Sequence, residues 1–120
     1  MAITDEYLQF VLEQLQGLGN VASRRMFGGV GLYQDGRFFA IIMGDTLYFK
    51  VNDANRGDYQ ARGMGRFRPY PNKPHLSMTY YELPADVLED AEECAAWARR
   101  SVAIAGAAKP AARRGKKRAR

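Results

Sequence analysis

Arg25-Met26-Phe27-Gly28-Gly29-Val30-Gly31-Leu32-Tyr33, followed at once by Gln34-Asp35-Gly36-Arg37-Phe38-Phe39-Ala40-Ile41, is the stretch that decides the fold. Three glycines in four positions allow the backbone to bend, bulge or approach a neighbour where side chains would clash. Asp35-Gly36 accepts positive φ angles at both centres of a tight two-residue hairpin turn. The run therefore predicts two paired strands, Val30 to Gln34 and Arg37 to Met43. It is not a phosphate-binding loop: the Lys-Ser/Thr pair is missing, the dinucleotide glycine spacing is incomplete, and a hairpin follows where a helix would be needed.

Reading outward from this nucleus, Gly44-Asp45 is a second tight turn, so Thr46 to Val51 extends the meander, and Val21 to Phe27 precedes it as a first strand. Thr4 has the chemistry of a helix N-cap, with Asp5 and Glu6 where the positive end of the helix dipole favours acids. Leu8, Val11, Leu12 and Leu15 then form one apolar stripe, closed by Gly17 and Gly19. Asp53 is expected to cap a helix over Ala54 to Arg62, with Tyr59 facing the core and Gly63 ending it; Gly57 costs that helix about 1 kcal/mol relative to alanine. Arg66 to Tyr70 and Leu76 to Glu82 read as two more strands separated by Pro71-Asn72-Lys73-Pro74, with Pro69 making the first an edge or bulged strand. Pro84 opens the last segment, which divides near Asp90 into a short helix and a longer one ending about Ala105. Trp97 anchors the longer helix, with Leu88, Ala91, Ala95, Ala98 and Val102 inward and Arg99 and Arg100 outward. The predicted fold class is α+β: a two-layer antiparallel sheet packed with helices.

At 120 residues the chain has the size of one domain, able to bury about two thirds of its unfolded surface. The expected division is a folded domain over residues 1–106 and a disordered basic tail over 107–120, where no apolar side chain exceeds alanine. The formal charge of +5 belongs to that tail. Lys109, Arg113, Arg114, Lys116, Lys117, Arg118 and Arg120 are seven cations without an acid, and removing them from the 18 basic residues leaves 11 against 13 acidic ones. No apolar run reaches the ~20 residues of a membrane span, and the start lacks the basic-then-apolar order of an export signal. No membrane association is expected, and the cytoplasm is the expected compartment.

Catalytic constellations are missing from the pattern. His75 is the one histidine and follows Pro74 in an irregular segment, and it cannot close a structural zinc site with the single cysteine, Cys94. Glu92 and Glu93 beside Cys94 argue against an activated thiol. Asp53, Asp58 and Glu82 lie on different elements. No catalytic residue, metal or cofactor is therefore expected, and the chain is read as a non-enzyme.

Two features point to partners. The tail suits sequence-independent contact with nucleic acid, each neutralised phosphate steepening the salt dependence by about 0.9 log units on duplex DNA, or contact with an acidic protein. The aromatics from Phe27 to Tyr81, with Arg24, Arg66, Arg68 and Lys50 nearby, suit either a stacking platform for single strands, a self-associating face, or ordinary core packing. A ligand pocket between sheet and helix, lined by Tyr48, Tyr80 and Trp97, is the alternative reading. A monomer or weak homodimer is expected.

Together with Leu47-Tyr48-Phe49-Lys50-Val51-Asn52-Asp53 and Met78-Thr79-Tyr80-Tyr81-Glu82-Leu83-Pro84, the opening run resembles the amino-terminal domain family of TfoX, the bacterial competence regulator. The resemblance covers roughly Leu8 to Ala105. It implies a two-layer α+β domain akin to secretion-chaperone-like folds and a bacterial regulatory or interaction module. The regulator's second domain finds no counterpart after the last helix, so the resemblance does not imply the regulator's whole activity. It supplies no catalytic residue; Arg24, Arg25, Phe27 and Tyr33, in and beside its signature run, are the candidate contact surface.

Overall fold

The computed structural model describes residues 4–26, 28–67 and 79–113, with side chains except those of Met26 and residues 107–113. Helix α1 (Asp5–Gln14) is followed by β1 (Val21–Met26), β2 (Gly29–Gln34), β3 (Arg37–Met43) and β4 (Thr46–Lys50), then α2 (Arg56–Ala61), β5 (Tyr80–Glu82), α3 (Ala85–Glu89) and α4 (Ala91–Arg113). The five strands form one sheet in sequence order, each antiparallel to its neighbour. This is the predicted α+β architecture.

Local chemistry accounts for the elements. The Thr4 hydroxyl accepts a hydrogen bond from the Tyr7 amide (3.1 Å), so α1 begins where its cap directs. Asp35 and Gly36 have φ of 52° and 84°, which turns β2 tightly into β3. Gly29 has another reason to be glycine: a Cβ there would collide with the Ile42 carbonyl oxygen. A side chain at this position would push β2 away from β3.

One irregularity reshapes the sheet. Leu32 pairs with Ala40 but Tyr33 with Phe38, leaving Phe39 as the extra residue of a β-bulge. Simple alternation would send Phe39 and Ala40 to opposite faces; the bulge lets both enter the same core. Phe38 consequently turns to the other face, against Tyr33.

The main core lies between the sheet and the four described helices. Val11 of α1 and Leu15 just after it, Tyr59 of α2, Val87 of α3 and Cys94, Trp97, Ala98 and Val102 of α4 pack on Val30, Leu32, Phe39, Ile42, Leu47, Phe49 and Tyr81. Polar ties fasten helix to sheet and helix to helix: the Ser101 hydroxyl donates to the Lys50 carbonyl (2.7 Å), and the Gln14 carboxamide donates to the Leu88 carbonyl (2.8 Å).

Several boundaries differ from expectation. Asp53 does not cap α2; its carboxylate pairs with Arg56, while buried Asn55 occupies the cap position and its Oδ1 accepts from the Asn52 amide (2.9 Å). Asp90 caps α4 instead, accepting from the Glu93 amide (3.2 Å). Ala91, expected inward, is exposed, and Cys94, Trp97 and Ser101 are buried on that helix. The backbone of α4 stays helical to Arg113, beyond the expected end near Ala105 and through Gly106 and Pro110. Of the predicted strand Arg66 to Tyr70, Arg66 forms an isolated bridge with Tyr81, and residues 68–70 lie outside the described residues. Phe27, His75, Arg68 and Tyr70 lie outside the described residues.

Candidate interaction surface

The sheet face turned away from the helices carries a second, smaller apolar cluster. Ile41, Tyr80 and Phe67 are buried there, flanked by half-buried Phe38, Met43 and Tyr48. Phe67 is held in place because its amide donates to the Tyr80 carbonyl (2.9 Å), while the Glu82 amide donates to the Gly65 carbonyl (3.0 Å). The rings engage one another: Tyr33 stacks on Phe38 with centroids 5.0 Å apart, Tyr48 meets Phe67 at 4.8 Å, and Phe38 approaches Tyr80 at 5.9 Å.

Two cations border this cluster. The Arg24 guanidinium lies 5.6 Å from the Tyr33 ring centre and the Lys50 ammonium 5.1 Å from that of Tyr80. Burial lowers the Lys50 pKa and raises that of Tyr80, with Tyr33 adding to the latter; Tyr48 is raised by burial first and by the Glu82 carboxylate second. These shifts come chiefly from desolvation. Since the aromatic faces are spent on each other, this side of the sheet is largely a packed minor core, the ordinary reading of its composition.

The candidate contact residues divide between the two faces. Arg24 and Tyr33 share the outer face, whereas Arg25 pairs across the strands with Val30 and reaches Asp5 of α1 at 3.6 Å, on the helix side. A pocket lined by Tyr48, Tyr80 and Trp97 is also divided by the sheet. The tyrosines belong to the outer cluster, while Trp97 sits in the main core with its ring edge against Tyr59 at 4.9 Å. An open groove of about 500 Å³ lies elsewhere, between the end of α1 and the start of α4, lined by Glu13, Gln16, Gly17, Ala91, Glu92, Ala95 and Arg99.

Trp97 is flanked by two guanidiniums that the sequence does not mark as a pair: Arg62 at 5.7 Å and Arg100 at 5.8 Å from its ring centre. Arg62 donates to both oxygens of Asp86 (Nη1 to Oδ1 at 3.2 Å, Nη2 to Oδ2 at 2.9 Å), and Arg100 meets Asp58 at 3.1 Å, so α2, α3 and α4 are tied together over the indole. Arg100 stands three positions after Trp97, a spacing readable on a helix; Arg62 arrives only through tertiary packing.

The thiol of Cys94 is fully buried and pushed up to about 12, mainly by desolvation, which suppresses the thiolate. Among the described residues the buried Tyr59 hydroxyl finds no hydrogen-bond partner, and desolvation raises its pKa. Among the described residues, no group of His, Cys, Asp or Glu gathers as a metal site. Among them, too, no helix is long and apolar enough to cross a membrane. Of the cationic cluster, Lys109 and Arg113 fall on the helical backbone of α4; Arg114, Lys116, Lys117, Arg118 and Arg120 lie outside the described residues.

A five-stranded antiparallel sheet with its described helices on one face, a glycine-dependent hairpin at its centre and a tryptophan-anchored last helix defines a small two-layer α+β domain. Residues 13–105 match the family model of the TfoX N-terminal domain, and the chain belongs to that family. The family is one of regulatory or interaction modules and is not a known enzyme family. No match is found among curated proteins.

Proposed function

We propose that the protein is a non-enzymatic regulatory module that holds nucleic acid through its cationic carboxy terminus. The observation carrying this reading is the charge distribution: seven cations and no acid in residues 109–120, against a body with more acids than bases. The helix that packs on the sheet through Trp97 continues to Arg113, so the first of these cations stand on an extension of the folded domain. Its chemistry is that of counterion release, without a scaffold for reading bases. Lys109, Arg113, Arg114, Lys116, Lys117, Arg118 and Arg120 then supply sequence-independent affinity, and the domain brings a regulatory partner to the bound polymer.

Titration of duplex DNA at two salt concentrations tests it. The full chain should bind more weakly as salt rises, with a slope of at most about 0.9 per phosphate neutralised. A chain carrying glutamine at all seven positions should lose that binding; unchanged affinity would remove the tail from the function. Metabolite turnover abolished by one point substitution in an intact fold would overturn the non-enzymatic reading.

A further inference from the structure

The two edges of the sheet are finished differently. At the β5 edge, residues 65–67 lie alongside and exchange backbone hydrogen bonds with Tyr80 and Glu82. Along β1, the opposite edge, no hydrogen bond from the described residues reaches the outer side, and Ala22, Ser23, Arg24 and Arg25 are all exposed. Such an edge offers a row of backbone donors and acceptors to an incoming strand.

Charge selects the occupant. Arg24 projects to the outer face and Arg25 to the helix face, so the edge carries a cation on each side. The link of Arg25 to Asp5 is long, and the two side chains are 67% and 91% exposed, so solvent screens it and leaves the guanidinium available. A second copy pairing antiparallel on β1 would bring the arginines of both copies together around the two-fold axis, where like charges repel. An extended peptide with two consecutive acids has the complementary pattern, since adjacent strand residues point to opposite faces. The geometry points to β1 as a docking edge for an acidic extended peptide segment, added as a sixth strand with its neighbouring acids facing Arg24 and Arg25.

The test uses the full chain and a labelled hexapeptide of β-branched residues around a central Asp-Glu pair. Binding should be about tenfold tighter than for the Asn-Gln peptide, and R24E/R25E should reverse that preference. Hydrogen exchange should show new protection at those amides between Ala22 and Arg25 that point away from β2, and N-methylation of the peptide backbone should abolish both protection and binding. Equal binding of the Asn-Gln or N-methylated peptide overturns the proposal, as does protection confined to other segments. Protection of these amides by an oligothymidine and not by the peptide would assign the edge to nucleic acid and equally overturn it. Concentration-dependent dimerisation through β1 would give the edge to a second copy and overturn it as well.

Discussion

The two faces of the sheet are both aromatic, yet only one is a full core. Under the helices, Phe39, Phe49, Ile42 and Leu32 are completely buried; on the other side Ile41, Phe67 and Tyr80 retain 6–9% exposure and Phe38, Tyr48 and Tyr33 are half-buried. The difference is a matter of what covers them. Among the described residues, four helices close the first face, while the second is packed with Phe67 and with its own rings. Similar residues therefore contribute unequally, because hydrophobic stabilisation follows the area removed from water.

Truncation on each face should show this most clearly. Phe49→Ala should destabilise the domain by about 3–5 kcal/mol, whereas Phe38→Ala should cost about 1–2 kcal/mol through lost partial burial and its stack on Tyr33. Urea unfolding of the two variants measures both, and equal losses would erase the distinction between core and minor core. Next in size is Gly29→Ala, at about 1–3 kcal/mol. Here the added methyl meets a carbonyl of β3 and cannot be accommodated by a rotamer change, so both faces should loosen together, seen as faster amide exchange across β2 and β3.

The smallest effect is alkaline. Folding raises Cys94 from 9.0 to about 12 under the helices, and burial also raises Tyr48 and Tyr80 from 10.0 on the other face. A group whose pKa rises on folding stabilises fully below its unfolded value and loses that contribution as pH climbs toward the folded value. The urea midpoint should therefore begin to fall above about pH 9, and Cys94→Ala should delay the onset toward about pH 10, where the tyrosines take over. An onset that does not move in this variant would mean that the thiol is not buried as described.

Much of this organisation is written in short-range chemistry. The turn at Asp35-Gly36, the cap at Thr4, the strand Arg37–Met43 and the break at Asp90 each depend on residues within a few positions, and each is found where the sequence puts it. The cap of α2 is harder to place: Asn52, Asp53 and Asn55 all have capping side chains, and the choice of Asn55 rests partly on its donation to the Lys50 carbonyl (3.4 Å). The candidate surface is legible as a set of residue types but not as a surface. Tyr48, Tyr80 and Trp97 are compatible with one pocket by composition, and Arg24 and Arg25 with one patch, until strand register assigns them to opposite sides.

The order of strands and turns, the start of the first helix, the family and the concentration of positive charge after Lys109 all follow from the chain read alone, because caps, turns, periodicity and charge are properties of neighbouring residues. Three-dimensional packing was needed to settle that Phe38 and Phe39 part at a bulge, that Arg62 and Arg100 meet over one indole, and that among the described residues β1 keeps an open edge while β5 is covered. Those outcomes depend on pairing between residues far apart in the chain, where a one-residue change of register reverses the face a side chain occupies.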